Sequence, residues 1–223
     1  MLKAIIFDMD GVLVDSMRFQ ADAWAKVFME FGININRRDI YILEGSNNIG
    51  IVKAIFEKVG KKAEPWLFEY LENKKREILD FEQIVPFKGI QNCLKELKKN
   101  FKLATVSGSS RYMVEKVVNK FYPKCFEIII TGDDFERGKP NPEPYIKALE
   151  KLNMTTNECI VVENSPMGIS AAKRAGLYCV AVATTLDSEE LKHADLIFED
   201  HTALIDYLKS LTQRDFGVSA KFM

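Results

Sequence analysis

The feature that most constrains this fold is a series of short, continuously apolar runs that alternate with helical patterns. Such runs occur at residues 4–7, 102–106, 126–130, 159–162, 178–183 and 195–198. Strands that are covered by helices on both faces are apolar throughout, whereas half-exposed strands alternate between apolar and polar residues. The sequence therefore predicts an α/β fold with a Rossmann-like parallel sheet at its core.

The ends of these predicted strands carry polar residues that are suited to chemistry. In a parallel sheet with right-handed crossovers, all carboxyl ends lie along one edge, and ligands bind at that edge. Each of four polar residues follows one of the apolar runs: Asp8, Ser107, Asp133 and Asn164. We therefore expect side chains from distant parts of the chain to meet at one edge of the sheet.

The alternation of strands and helices stops after the first strand and resumes near residue 85. Within this stretch only helical patterns occur, at residues 17–31, 49–59 and 65–81. In the first of them, Trp24, Val27 and Phe28 recur with the spacing of an amphipathic helix. The stretch is therefore predicted to be an all-helical insert.

The insert divides the chain into two predicted domains. Residues 1–15 and 86–223 would form the α/β core, and residues 16–85 would form a helical cap domain. The two linkers that join them would run side by side and act as the hinge of a lid. The tail at residues 213–223 shows no clear pattern.

Charge and composition exclude several classes of partner. The chain has 31 Lys and Arg residues against 32 Asp and Glu residues, so it offers no basic surface for nucleic acid or an anionic membrane. No apolar run approaches the roughly 20 residues that cross a bilayer. The four cysteines are scattered, as is usual for free thiols in a reducing compartment. We expect a cytoplasmic monomer without nucleic-acid or membrane partners.

Asp8 and Asp10 form the first candidate site. They lie two residues apart at the end of the first predicted strand and are followed by Gly11. One carboxylate could attack as a nucleophile while the other transfers protons, and both could help to hold a hard cation. The same residues also fit an ordinary acidic turn. Taken alone, the pair leaves both interpretations open.

Three further strand ends favour a site over a turn. Ser107 and Gly108 precede a helix, where free backbone N–H groups can bind an anion, although a plain helix cap has the same sequence. Lys139 lies in a proline-rich loop, and Glu163 and Asn164 follow the 159–162 strand. Acid and amide oxygens at that position suit a metal or the partners of its ligands.

The segments FDMDGVLVDS, VSGSS, GKPNPEPY and VVENSPMG, in this order and spacing, resemble the haloacid dehalogenase superfamily. The position of the insert is similar to the helical cap of the β-phosphoglucomutase-like subgroup. The resemblance implies that Asp8 attacks phosphorus to form an aspartyl-phosphate and that Asp10 serves as general acid and base. It implies that the phosphoryl group is held by Ser107, Gly108 and Lys139.

The resemblance also implies that Mg²⁺ is the cofactor. Its ligands would be the Asp8 carboxylate, the Asp10 main-chain carbonyl and the Asn164 side chain, with Glu163 in or next to the shell. Many relatives carry Asp where this chain has Asn164, so one negative charge is missing and weaker Mg²⁺ binding is expected. Asp10 excludes the dehalogenase branch, which lacks this second Asp.

The function that these features favour is hydrolysis of a small phosphorylated metabolite, either a sugar or polyol phosphate or pyrophosphate. One alternative is a sugar-phosphate mutase of the β-phosphoglucomutase type, and another is a non-catalytic binder of phosphorylated metabolites. Mutases of that type resemble one another in a cap His and a cap Arg, where this chain has Gln20 and Asn48. The candidates for substrate specificity in the cap are Glu44, Asn48, Arg76 and Gln20, with Lys75 as an alternative to Arg76. Both histidines, His193 and His201, are expected on the surface.

Overall fold

A computed structural model describes residues 1–213, and a six-stranded parallel sheet forms its centre. The strands in chain order are β1 (Ala4–Phe7), β2 (Val14–Asp15), β3 (Val85–Pro86), β4 (Lys102–Val106), β5 (Ile128–Ile130), β6 (Cys159–Glu163), β7 (Tyr178–Val182) and β8 (Leu196–Phe198). The large sheet has the order β5-β4-β1-β6-β7-β8. Strand β1 is central and wholly buried, as its continuous apolar sequence predicts. The predicted α/β fold with a Rossmann-like sheet is confirmed.

Nine α-helices lie within residues 1–213, and most follow the predicted patterns. They are α1 (Met17–Met29), α2 (Arg37–Tyr41), α3 (Asn48–Lys58), α4 (Pro65–Ile78), α5 (Ile90–Leu97), α6 (Arg111–Phe121), α7 (Glu143–Leu152), α8 (Pro166–Arg174) and α9 (His201–Gln213). Helix α4 ends before the predicted residue 81, because Leu79 is extended and Asp80 caps a short 3₁₀ helix through the amide of Glu82. The predicted patternless tail begins within α9, and residues 214–223 lie outside the described part of the chain.

The sheet separates two apolar layers. One layer packs around Phe7, Leu94 and Leu208, and the other packs around Ile6 and Tyr145. Because neighbouring residues of β1 point to opposite faces, each layer receives alternate side chains of the same strand. Both layers are buried, so the polar residues that follow the strands are fixed on a rigid base.

Helices α1 to α4 form the insert between β2 and β3. They enclose a separate apolar cluster that includes Trp24, Phe28 and Leu71. The two linkers pair as antiparallel strands, with Val14 opposite Pro86. We refer to residues 16–85 as the helical insert. In the part of the chain described, no helix combines the length and apolar character needed to cross a membrane.

Candidate active site

Asp8 and Lys139 form the centre of the site. Asp8 follows β1, and the Lys139 ammonium donates to its Oδ1 at 2.5 Å and to Glu163 Oε1 at 2.6 Å. All three side chains are almost completely buried. Burial by itself disfavours the ammonium, but the carboxylates of Asp8 and Glu163 outweigh it and raise the pKa of Lys139. Lys139 therefore remains a cation beside Asp8.

Glu163 is bound on both carboxylate oxygens by groups of the protein. Its Oε1 accepts from Lys139 and from the Tyr145 hydroxyl at 2.7 Å. Its Oε2 accepts from the amides of Asn164 and Ser165 and from the Ser165 hydroxyl. In this structure Glu163 therefore holds Lys139 and the loop that follows β6. Tyr145, which lies on α7, was not among the predicted site residues.

The Asp10 carboxylate is held from two sides. From the helical insert, Ser16 Oγ donates to Oδ1 at 2.5 Å and Gln20 Nε2 donates to the same oxygen at 3.2 Å. From the core, Ser109 Oγ donates to Oδ2 at 2.8 Å and Ser107 Oγ at 3.4 Å. Ser16 and Ser109 were not predicted as site residues, although Ser109 lies in the VSGSS segment.

Asn164 meets Glu44 of the insert. The Asn164 Nδ2 group donates to Glu44 Oε1 at 3.0 Å, and both side chains are buried. Burial raises the pKa of Glu44 well above its usual range, the Asp8 carboxylate adds to this, and the hydrogen bond from Asn164 opposes it. The remaining oxygens, Asn164 Oδ1 and Glu44 Oε2, are buried without a partner.

These residues fit a hard cation such as Mg²⁺. A buried oxygen without a donor is costly, and Asn164 Oδ1 is such an oxygen beside several buried carboxylates. Burial raises the pKa of Asp8 well above its usual range even though Lys139 opposes this, as expected where acids outnumber nearby cations. Within residues 1–213 no group of three His, Cys, Asp or Glu side chains forms a metal site. The donor set would instead combine carboxylate, amide and main-chain oxygens.

The loop before α6 forms the floor of a cleft between the insert and the core. Ser107, Gly108 and Ser109 line this cleft, which spans about 410 Å³ when the part open to solvent is counted. A Cβ atom at Gly108 would lie 2.4 Å from the main-chain oxygen of Ser46 in the insert. Glycine is therefore required at this position for the insert to approach so closely. The following helix directs its N-terminus toward this edge of the sheet, as an anion site requires.

The residues of the insert that line the cleft include Gln20, Glu44, Asn48 and Lys75. The Lys75 ammonium lies 4.9 Å from the centre of the Trp24 ring and 3.5 Å from Asn48 Oδ1. Burial lowers the pKa of Lys75 to about 8. Among residues 1–213 no carboxylate forms an ion pair with it, so the cleft contains a buried cation that a substrate could neutralise.

Two expectations about placement need correction. Arg76 does not line this cleft; it is exposed at the seam between insert and core, where it lines a smaller cavity beside Lys75 and Asn48. Its guanidinium lies 4.8 Å from the centre of the Tyr112 ring. Lys75, one residue earlier, faces inward instead because it lies on the buried stripe of α4. Asp133 does not reach the site either, since its carboxylate binds the first amide of α6, that of Arg111.

The fold and this set of residues define a class of enzyme. The profile of the haloacid dehalogenase-like hydrolases matches residues 5–182 of the chain. Because this match covers more than half of the chain, the protein belongs to that family. The predicted resemblance is confirmed at this level.

Individual relatives place the chain within the family. It is 32% identical over 206 residues to the validoxylamine A 7'-phosphate phosphatase of Streptomyces hygroscopicus subsp. limoneus, covering 91% of this chain and 95% of that protein. It is 30% identical to pyrophosphatase PpaX of Oceanobacillus iheyensis, covering 89% of this chain and 93% of that protein. A solved β-phosphoglucomutase-like protein from Bacteroides vulgatus superposes with a TM-score of 0.88 at 30% identity, covering 95% of this chain and 89% of that one. The protein is a phosphoric monoester hydrolase of the β-phosphoglucomutase-like subgroup.

Proposed function

We propose that the protein is a Mg²⁺-dependent phosphatase that hydrolyses a small phosphorylated metabolite through an aspartyl-phosphate on Asp8. The observation that carries the proposal is the arrangement around this residue. Asp8 is bound by a buried ammonium, and the Asp10 carboxylate faces the same cleft. A nucleophile, a proton carrier and donors for phosphoryl oxygens are therefore within one small volume.

The reaction follows from these groups in two steps. A carboxylate oxygen of Asp8 attacks phosphorus, the bond to the leaving oxygen breaks, and Asp10 gives that oxygen a proton. Asp10 then removes a proton from water, which attacks the phosphoryl group of the aspartyl-phosphate and releases phosphate from Asp8. Ser107, Gly108 and Lys139 bind the phosphoryl oxygens in both steps.

Mg²⁺ would be held by the Asp8 carboxylate, the Asp10 main-chain carbonyl and the Asn164 side chain, with Glu163 next to the shell. When bound, the cation offsets the repulsion between an anionic carboxylate and an anionic phosphate. Asn164 contributes through Oδ1, which its hydrogen bond to Glu44 leaves available. The hydrogen bonds from Ser16 and Gln20 orient Asp10 when the helical insert is closed over the core, as it is here.

The cleft favours a small leaving group. Glu44 occupies the space above Asn164, so a bulky leaving group would meet a buried carboxylate, whereas Lys75 would neutralise a small anionic one. Relatives named as a pyrophosphatase and as a hexitol phosphatase support pyrophosphate or a sugar or polyol phosphate as the substrate. The cap side chains do not favour the mutase alternative, because Gln20 binds Asp10 where mutases carry a His.

The test is a phosphate-release screen with Mg²⁺, using pyrophosphate, short polyol phosphates and hexose phosphates. The wild-type protein should hydrolyse members of this set, and a folded Asp8→Asn protein should hydrolyse none. In Glu44→Ala, kcat/KM should change unevenly, with small substrates losing more than hexose phosphates. A uniform change would show that Glu44 does not determine substrate specificity. Interconversion of hexose phosphates without release of phosphate would support the mutase instead.

A further inference from the structure

The loop between Asp10 and the first linker of the insert is closed by hydrogen bonds to one carbonyl group. Inside the loop, the amides of Val12, Leu13 and Val14 all point to the main-chain oxygen of Met9, at 3.3, 2.9 and 3.2 Å. The side chains of these residues are fully buried. The loop is thus a compact unit that connects the proton-transferring residue to the hinge.

Three consecutive carbonyl groups of this loop are bound by side chains of the core. The donors come from three separate parts of the core, after β7, at the start of α9 and after α6. The pairs are Thr184 Oγ1 to Gly11 O at 2.7 Å, His201 Nε2 to Val12 O at 3.2 Å and Tyr122 Oη to Leu13 O at 2.5 Å. Because a carbonyl oxygen can only accept, Nε2 carries the imidazole proton.

His201 also contacts the returning linker, and it is not the surface residue that the sequence suggested. Its ring stacks on Phe87, with the ring centres 3.6 Å apart and the planes 17° apart. Phe87 follows β3, and its own amide donates to the Leu13 carbonyl at 3.3 Å. The residue before the first linker, Leu13, and the residue after the second, Phe87, are therefore held at one point of the core.

We propose that Thr184, His201 and Tyr122 are positioning residues, here called the loop clamp, that keep Asp10 aligned while the helical insert moves. This rests on the proposed function. Asp10 is bound by Ser16 and Gln20, which belong to the insert and would pull on it when the insert opens. The loop clamp holds the intervening residues to the core, so bending occurs beyond Leu13, at the paired linkers.

The size of the effect follows from how precisely a proton carrier must be placed. A displacement of about 1 Å can cost on the order of 100-fold in rate. Thr184 binds the carbonyl of Gly11, the residue directly after Asp10, whereas Tyr122 binds a carbonyl two residues further on. Loss of the Thr184 hydroxyl should therefore disturb Asp10 most.

A purely structural role makes the opposite prediction. Buried carbonyls need donors, and the cost of removing a donor grows with burial. Tyr122 is 3% exposed, while Thr184 and His201 are only partly buried. If the three donors served stability alone, the losses of kcat in the three variants would follow their losses of melting temperature, and Leu13 O would keep the Phe87 amide as a donor in Tyr122→Phe.

The experiment compares Thr184→Val, His201→Phe and Tyr122→Phe, each of which keeps the shape and removes the donor. His193→Phe, at an exposed histidine, is the matched control, and Thr184→Ser tests rescue by a hydroxyl. We measure kcat and KM on the best substrate of the screen, the melting temperature, and hydrogen exchange of the amides at residues 11–14 without substrate.

We expect kcat to fall about 10-fold to 100-fold in Thr184→Val, less in His201→Phe and least in Tyr122→Phe, with KM nearly unchanged. The losses of melting temperature should not follow this order, Thr184→Ser should restore kcat, and loop exchange should rise most in Thr184→Val. Wild-type kcat in Thr184→Val, or losses of kcat in the same order as losses of melting temperature, would overturn the loop clamp. If the wild-type protein releases no phosphate, the proposed function fails, and the order of loop exchange still decides whether the loop clamp exists.

Discussion

The contact between Glu44 and Asn164 leads to a quantitative prediction for Asn164→Asp. The substitution places a second carboxylate where an amide now donates to Glu44 Oε1 at 3.0 Å. Two unit charges at this distance repel by about 332/(20 × 3.0), or about 5.5 kcal/mol, at an effective dielectric constant of about 20. Uptake of a proton by Glu44 relieves part of this, because burial already raises the pKa of Glu44. We expect the free energy of unfolding of the metal-free variant to be about 2 kcal/mol lower than that of the wild type, which corresponds to about 4–8 °C in melting temperature.

Mg²⁺ should reverse this loss. Asn164→Asp restores the negative charge that the site lacks, so the cation should raise the melting temperature of the variant more than that of the wild type. Glu44→Gln should relieve the repulsion, and the double variant should melt close to the wild type in a chelator. The assay is thermal unfolding of all four proteins in a chelator and across a Mg²⁺ titration. If the changes in melting temperature of the two single variants simply add in the double variant, positions 44 and 164 do not interact. If Mg²⁺ raises the melting temperatures of the wild type and of Asn164→Asp equally, position 164 does not bind the cation.

Three further predictions test other parts of the site. Lys75→Met should raise KM for a substrate with an anionic leaving group by about 10-fold to 100-fold, since it removes a charged donor. Because burial lowers the pKa of Lys75 to about 8, the ammonium is lost as pH rises through 8. The KM of the wild type should therefore rise in that pH range, while the KM of the variant stays constant. Tyr145→Phe should lower kcat about 10-fold without unfolding the protein, because Glu163 Oε1 then accepts a hydrogen bond from Lys139 alone. An unchanged kcat would show that Tyr145 does not contribute to catalysis. Asp10→Asn should lower kcat at least about 100-fold without a change in melting temperature. A smaller loss in steady-state assays would show that another group transfers the proton.

The sequence was informative where a residue's position follows from the sheet. Asp8, Ser107 and Asn164 each follow a continuously apolar run, and parallel strands align their carboxyl ends, so their convergence needed no structure. Lys75 could also have been found from its spacing. Leu67, Leu71 and Lys75 are four residues apart and form the buried stripe of α4, which turns Arg76 toward solvent.

Contacts between distant segments could not be predicted in this way. His201 and the carbonyl of Val12 are 189 residues apart, and no local pattern links a helix start to a loop. The same applies to Glu44 and Asn164, which are 120 residues apart and meet only when the insert lies against the core. Such pairs depend on how the elements pack, which local periodicity does not specify.

If Asp8 is the nucleophile, it becomes phosphorylated during turnover. The direct measurement is mass spectrometry of the protein quenched in acid within the first turnovers with substrate and Mg²⁺. We expect one phosphoryl group on the peptide that contains Asp8, and none when Asp8→Asn is treated in the same way. Continued release of phosphate by a protein that never carries a phosphoryl group on Asp8 would contradict this role of Asp8.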